Sequence, residues 1–299
     1  MGVMVDGAWR DVPRDTASSR GAFVRPESAF RDKVGSVEDK RYTLFVSRAC
    51  PWAHRTLVVR ALKGLERAVP VRYVLPYTGG NGWEFPEGEE FRYLYQAYAE
   101  ASPGYTGRVT VPLLWDSRER RIVKNESAEI VRMLNRDFEP LARRRLPDLY
   151  PPALAREIDA VNERVYRGLN NGVYRAGFAT AQDKYDEAVE GVFSTLDWLE
   201  RRLARRRWLC GARLTEADVR LFTTLIRFDA VYYSHFKCNL RRLVDYPRLW
   251  RYTRRFHALP GVARTVDLAE IKEHYYRSHR HINPTQIVPR GPRIDLRLH

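Results

Sequence analysis

Cys50 stands directly before Pro51 in the run SRACPWAHRT, residues 47–56. Proline suits the first position of a helix, where its missing N–H costs no hydrogen bond, so Cys50 falls at a helix start. The backbone N–H groups there have no partner within the helix and carry partial positive charge. A thiolate at such a position is stabilised, so its pKa is expected to fall. Arg48, His54 and Arg55 add positive charge nearby. The other two cysteines lack this setting. Cys210, in WLCGARL, lies among apolar residues and reads as inert core, and the context of Cys238, in HFKCNL, favours neither role. The plain alternative for Cys50 is a small residue filling a turn.

A dithiol enzyme would carry a second cysteine at position 53, which is Ala53. A lone thiolate can still attack a sulfur and form a mixed disulfide, which a small soluble thiol must then resolve. The pattern therefore predicts monothiol chemistry. Two further features fit a thiol-bearing peptide ligand. Val111–Pro112, if cis, would expose the Val111 backbone to an extended peptide; the alternative is an edge-strand proline. Glu126 and Ser127 open a helix, offering N–H donors and a hydroxyl to a carboxylate, with Glu126 accepting from an amine; the alternative is ordinary helix capping.

These residues need elements to hold them. Tyr42–Ser47 (YTLFVS) reads as a strand. Pro51–Gly64 reads as a helix and Val71–Leu75 as a second strand, which implies a parallel pair with a crossover. An irregular insert, 76–107, holds GGNGWEFPEG and then an aromatic cluster, FRYLYQAY, read as a short helix. Val109–Trp115 and Arg121–Val123 read as two more strands, and 125–135 as a helix. Beyond a proline- and arginine-rich stretch the chain is helical. Helices are expected over 153–170, 183–204, 215–231, 246–259 and 261–274, with Thr215 capping the third and Asp218 completing a capping box. The apolar residues of that third helix run nearly all round it, so it is expected to be central and buried.

The 299 residues are enough for two domains. The expected division is a polar N-terminal arm over 1–40, an α/β domain over 41–137, a linker over 138–152, and an all-helical domain over 153–299 with an extended tail. No apolar run reaches the roughly 18 residues of a membrane span, and the N-terminus does not read as a signal peptide. Three cysteines make no disulfide framework. A reduced, cytoplasmic protein is the expectation.

Taken together, CPWAHR, NGWEF, VTVPLLWD, NESAEI, NNGVYRAGFA and HYYRSHRHINPTQIVPRGP resemble the Xi class of glutathione transferases, the glutathionyl-hydroquinone reductases. The resemblance runs from about Trp9 to Pro292. It implies an α/β plus all-α fold, a thioredoxin-like N-terminal domain followed by a helical glutathione-transferase C-terminal domain. It implies glutathione as co-substrate, no metal, and a homodimer. By the same resemblance Cys50 is the nucleophile that takes the glutathionyl sulfur from a glutathionyl-hydroquinone. Trp83 covers the bound glutathione, and Val111, next to Pro112, pairs with its backbone. Glu126 and Ser127 hold its γ-glutamyl end. Tyr174 and Tyr275 face the hydroquinone ring, with Tyr276 the adjacent candidate within HYY. A phenolic O–H near the hydroquinone oxygen would stabilise charge or shuttle a proton. Read without the resemblance, both tyrosines fit interdomain packing better than a site role.

Other classes compete. A thioltransferase or dehydroascorbate reductase would use the same cysteine, with glutathione or another small thiol. A conjugating transferase is disfavoured, because a Ser or Tyr hydroxyl would be expected at position 50. The formal charge of +15 and the run RRLARRR raise a nucleic-acid binder. No helix-turn-helix, zinc or RNA-binding signature supports it, and the basic residues are scattered over many helices.

Overall fold

The computed structural model describes residues 2–11, 21–23 and 28–298. They divide into two compact units: 2–11, 28–146 and 264–280 form one, and 21–23, 147–263 and 281–298 form the other.

The first unit is built on a four-stranded sheet. Its strands are β3 (Tyr42–Val46), β4 (Val71–Tyr73), β5 (Leu113–Asp116) and β6 (Arg121–Lys124), in the order β4-β3-β5-β6. β3 pairs in parallel with β4 and antiparallel with β5, and β5 pairs antiparallel with β6. Every residue of β3 is buried, as its apolar run, interrupted only by Thr43, requires of a strand covered on both faces. Helix α1 (Pro51–Lys63) makes the crossover from β3 to β4. It ends at Gly64 with φ 68°, a left-handed turn that glycine adopts without a Cβ penalty. Helix α2 (Leu94–Ala101) lies in the insert, and α3 (Ser127–Arg136) follows β6 and packs on α1.

β5 begins four residues later than the sequence predicts. Pro112 has no N–H to give a ladder, so pairing starts at Leu113. The N-terminal stretch contributes a hairpin, β1 (Val3–Val5) with β2 (Ala8–Arg10). Its turn is Asp6–Gly7, both at positive φ (48° and 78°), the Asp-Gly pair that two-residue hairpins favour. A Cβ on Gly7 would lie 1.7 Å from the Pro103 carbonyl oxygen. Helix α9 (Leu268–Ser278) belongs to this unit although it lies near the end of the chain. It starts at Asp267, whose carboxylate accepts from the N–H groups of Ala269 and Glu270, both at 3.0 Å.

The second unit is helical, with α4 (Ala155–Val165), α5 (Gly172–Gly177), α6 (Gln182–Arg202), α7 (Glu216–Leu225) and α8 (Pro247–His257). The helix expected over 153–170 stops at Val165 and passes through a π-helical turn, Tyr166–Asn170, into α5. Gly168, Asn170, Asn171 and Gly172 are poor helix formers. The Asn170 amide is used sideways instead, donating to Thr224 Oγ1 at 2.7 Å and to the Arg220 carbonyl at 3.2 Å. α7 likewise ends early, at Leu225, with a π-helical turn over Phe228–Tyr232. It is the buried helix of its unit, with all of its residues except Arg220 buried. Thr215 and Asp218 form the expected capping box.

Candidate active site

Cys50 is the N-cap residue of α1, and Pro51 opens the helix. The first helical hydrogen bond runs from the His54 N–H to the Cys50 carbonyl at 2.9 Å. The sulfur is half-buried, and its S–H donates to the Val111 carbonyl at 3.5 Å. Sequence positions 61 residues apart thus meet, and the Val111–Pro112 peptide bond is cis. Two local fields act on the sulfur in opposite senses. The carbonyl of Val111 favours the protonated thiol, while the helix start favours the thiolate by about 0.3–1 kcal/mol, up to about 2 when partly buried.

The three basic residues near Cys50 all have other engagements. Arg48 donates to Glu270 at 2.8 Å, and its guanidinium lies 3.9 Å from the centre of the Tyr73 ring. Arg55, buried, sits 4.4 Å over the Trp52 ring. His54 is fully buried, with Nε2 2.8 Å from Thr265 Oγ1. They brace the helix start, and Arg48 carries a carboxylate that offsets its charge.

Glu126 is the N-cap of α3. Its Oε1 accepts from the Ala128 N–H at 3.0 Å and from Ser127 Oγ at 3.4 Å. The capping alternative is therefore realised in the structure, through that oxygen. The second oxygen, Oε2, accepts from Ser28 Oγ at 3.1 Å. Ser127 is buried, as are Val111 and Pro112. Behind them, fully buried Tyr98 links the two loops. Its hydroxyl donates to the Thr110 carbonyl at 2.9 Å and accepts from the Asn125 amide at 3.2 Å. Asn125 in turn accepts from the Phe30 N–H at 3.1 Å. Sequence reasoning singled out Glu126, Ser127 and Val111 but not Ser28 and Tyr98, which the structure bonds to Glu126 and between the two loops. The aromatic cluster that holds Tyr98 was visible in the sequence, but which of its rings would turn inward was not.

Trp83 is half-buried in the insert and stacks on His274 of α9, with ring centres 4.9 Å apart and planes 17° apart. Tyr275 and Tyr276 follow on α9, at 1% and 8% exposure. The Tyr275 ring meets His274 and His279 edge-on, at 5.4 and 5.3 Å. Cys50, Trp83, Val111, Pro112, Glu126, Ser127, Tyr275 and Tyr276 therefore all belong to the first unit. Tyr174 belongs to the second. There it sits in an aromatic cluster with Phe236, Phe178, Tyr232 and Phe23, at 5.3 to 6.4 Å between ring centres.

Cys210 and Cys238 are buried. Burial pushes the Cys210 thiol up to about 11 and the Cys238 thiol up to about 12. Among the described residues no group of three or more His, Cys, Asp or Glu side chains is placed to hold a metal ion. No helix there is long and apolar enough to cross a membrane.

Known proteins match this chain over almost all of its length. Residues 49–137 match the glutathione S-transferase N-terminal domain, and residues 182–255 match the glutathione S-transferase C-terminal domain. The glutathionyl-hydroquinone reductase PcpF of Sphingobium chlorophenolicum is 53% identical, covering 99% of this chain and 98% of its own. The glutathionyl-hydroquinone reductase YqjG of Escherichia coli is 48% identical, covering 99% and 97%. The solved glutathione-bound structure of YqjG has a TM-score of 0.87 against this one, over 99% of this chain and 97% of its own at 46% identity. A Xi class transferase from Natrialba magadii has a TM-score of 0.91, covering 99% and 94% at 45% identity. With both domain patterns in place and relatives of about half-identical sequence from end to end, the chain belongs to the glutathione S-transferase family, in its Xi class.

Proposed function

We propose that this chain is a glutathione-dependent reductase that cleaves glutathionyl-hydroquinones to hydroquinone and oxidised glutathione. The observation that carries the reading is the placement of Cys50, a half-buried N-cap cysteine whose sulfur meets the Val111 carbonyl beside a cis-proline. The names borne by PcpF and YqjG support the same activity.

The reaction has two displacements on sulfur. In the first, the Cys50 thiolate attacks the glutathionyl sulfur. An S–S bond forms, the carbon–sulfur bond breaks, and the ring carbon keeps the electron pair and takes a proton. The two sulfurs are oxidised to a disulfide and the ring carbon is reduced. In the second, a glutathione thiolate attacks the glutathionyl sulfur of that disulfide and regenerates the Cys50 thiolate, giving oxidised glutathione. Ala53 at the position of a resolving cysteine fits this scheme, because the second thiol comes from solution.

The other residues take supporting roles. Trp83 covers the glutathione. Val111, preceding cis-Pro112, pairs with its cysteinyl backbone, while Glu126 Oε2 and the α3 start at Ser127 hold its γ-glutamyl end. Tyr174 and Tyr275 act on the hydroquinone oxygen, as donors to developing charge and as the proton path to the ring carbon. Tyr276, one residue on, is the alternative to Tyr275. The chain works as a cytoplasmic homodimer, for which light scattering should give twice the 35.0 kDa of one chain.

The test is a product assay with a glutathionyl-hydroquinone, with and without glutathione, beside Cys50→Ala. Turnover is expected with glutathione. Without it, one hydroquinone per chain should be released and a glutathione adduct should be found on Cys50 by mass spectrometry. Cys50→Ala should lose at least about 10³-fold in kcat, as removal of a covalent nucleophile does. Release without any adduct would overturn the mixed-disulfide step. No release at all, with turnover of dehydroascorbate or of a low-molecular-weight disulfide instead, would favour the thioltransferase reading.

A further inference from the structure

The insert segment that ends at Trp83 is held by a helix from the far end of the chain. His274, 8% exposed on α9, stacks on the Trp83 indole. Its Nδ1 lies 2.7 Å from the Pro76 carbonyl, which can only accept, so Nδ1 carries the hydrogen. One turn on, Ser278 Oγ accepts from the Thr78 N–H at 3.0 Å. Arg280 donates to the Tyr77 hydroxyl at 2.8 Å, and the Arg277 guanidinium lies 5.0 Å over the Tyr77 ring. Three consecutive insert residues, 76 to 78, are thus fixed by one face of α9. The N-terminal hairpin grips the same segment, since the Trp9 indole N–H donates to the Gly80 carbonyl at 2.9 Å. Trp83 itself is anchored by backbone, its carbonyl accepting from the Leu94 N–H at 2.9 Å. What the backbone does not set is the rotamer of the indole, and the ring stacked on it does.

We propose that His274 is a positioning residue for Trp83. The imidazole backs one face of the indole and holds the other face ready for the glutathionyl group, while the bond to Pro76 keeps the imidazole plane in place. This rests on the reading of Trp83 as the cover over glutathione. It adds a residue on α9 whose work is on the glutathione side, one position before the Tyr275 assigned to the hydroquinone side. α9 then serves both halves of the substrate.

The probe is S-methylglutathione, which has no thiol and cannot react, with its affinity measured by calorimetry. His274→Ala and His274→Gln remove the stack and are expected to weaken binding about five- to tenfold, the size of one aromatic pair. His274→Phe keeps a ring and should bind within about twofold of the unchanged protein. The KM for glutathione should rise in the same order while kcat at saturation stays within about twofold, because only ground-state and transition-state binding alike are lost. Trp83→Ala combined with His274→Ala should be no weaker than Trp83→Ala alone, a coupling that general loosening of the fold would not give. His274→Ala binding as tightly as the unchanged protein, or additive losses in the double variant, would overturn the proposal. So would His274→Phe binding as weakly as His274→Ala, which would assign the effect to the Pro76 bond. If His274→Ala fails to fold, His274→Gln and His274→Phe decide the same question. Failure of the underlying reading is separate: there Trp83→Ala alone would leave S-methylglutathione affinity unchanged.

Discussion

Two cysteines of this protein stand at or just before a helix start, one in each unit, and their surroundings give them opposite characters. Cys50 is itself the N-cap of α1, half-buried, with a proline after it and no carboxylate as its capping group. Cys210 lies five residues before Thr215, the N-cap of α7. That second start is already filled. Asp218 accepts from the Thr215 N–H at 2.9 Å, the Thr215 hydroxyl at 3.0 Å, the Leu209 N–H at 2.8 Å and the Tyr252 hydroxyl at 2.9 Å. The positive end of α7 is spent on a structural carboxylate, and for the nearby thiol burial first and then that carboxylate oppose ionisation. A helix start alone does not make a reactive cysteine. What decides is whether the sulfur or another group occupies the start, and whether the sulfur can reach solvent.

The sharpest way to break this contrast is alkylation of the native protein with iodoacetamide at pH 8, followed site by site by mass spectrometry. Cys50 should be modified, while Cys210 and Cys238 stay unmodified until the chain is unfolded. A thiol lifted to about 11 is ionised to only about one part in 10³ at that pH, before burial slows access further. Modification of Cys210 at a rate near that of Cys50 would remove the distinction between the two helix starts. Cys210→Ser should leave turnover within about twofold, because the thiol has no part in the proposed chemistry.

The second unit should answer in stability rather than in activity. Asp218→Ala leaves two N–H groups and two hydroxyls short of a buried acceptor, and unsatisfied buried groups cost about 1–3 kcal/mol each before relaxation. A net loss of about 3 kcal/mol is expected, seen as a fall in Tm of roughly 10 °C for a unit of this size. An unchanged Tm would show that the four bonds are replaced by water or by rearrangement. The corresponding change at the other start, Cys50→Ala, should move Tm by less than about 2 °C, since Cys50 gives no side-chain cap bond to α1.

How much of this was legible follows the same division. The capping box at Thr215 and Asp218 is a local pattern, four residues long, and it was readable from the sequence. So was the helix start at Cys50–Pro51, and the β-α-β order around it. The strand expected over Val109–Trp115 was legible in place but not in its start, because the missing N–H of Pro112 delays β5 to Leu113. The hairpin at Asp6–Gly7 was legible in principle, because Asp-Gly between two short apolar pairs is a turn signal, but the surrounding polarity of residues 1–40 hid it. Ser28 on Glu126, Tyr98 between Thr110 and Asn125, and His274 on Trp83 were not legible. Each joins positions 27 to 191 residues apart apart from the Tyr98–Thr110 pair, and no periodicity or spacing encodes such a contact. The insert itself shows the limit well: its sequence names Trp83 as an aromatic of interest, but only the fold brings α9 against it.

A pH dependence tests whether Asp218 is held as a buried carboxyl. Burial lifts its pKa to about 6 from the ordinary 3.8, against the four hydrogen bonds it accepts, which pull the other way. The folded chain therefore binds this proton more tightly than the unfolded chain does. Its contribution to stability is full below about pH 4 and is lost as the pH rises through about 6, so unfolding releases a proton across that window. Half-buried Glu38, lowered to about 2 by Arg118 and Ser36, slopes the other way and titrates largely below the window. Asp218→Asn isolates the effect, because the amide cannot titrate. The stability of the unchanged protein minus that of Asp218→Asn should fall by on the order of 2–3 kcal/mol between pH 4 and pH 7. A flat difference would mean that the hydrogen bonds from Leu209, Thr215 and Tyr252 outweigh burial and keep Asp218 a carboxylate throughout. In that case the α7 start would carry a charged cap down to pH 4 as well, and its stability would not depend on protonation of Asp218 anywhere in that window.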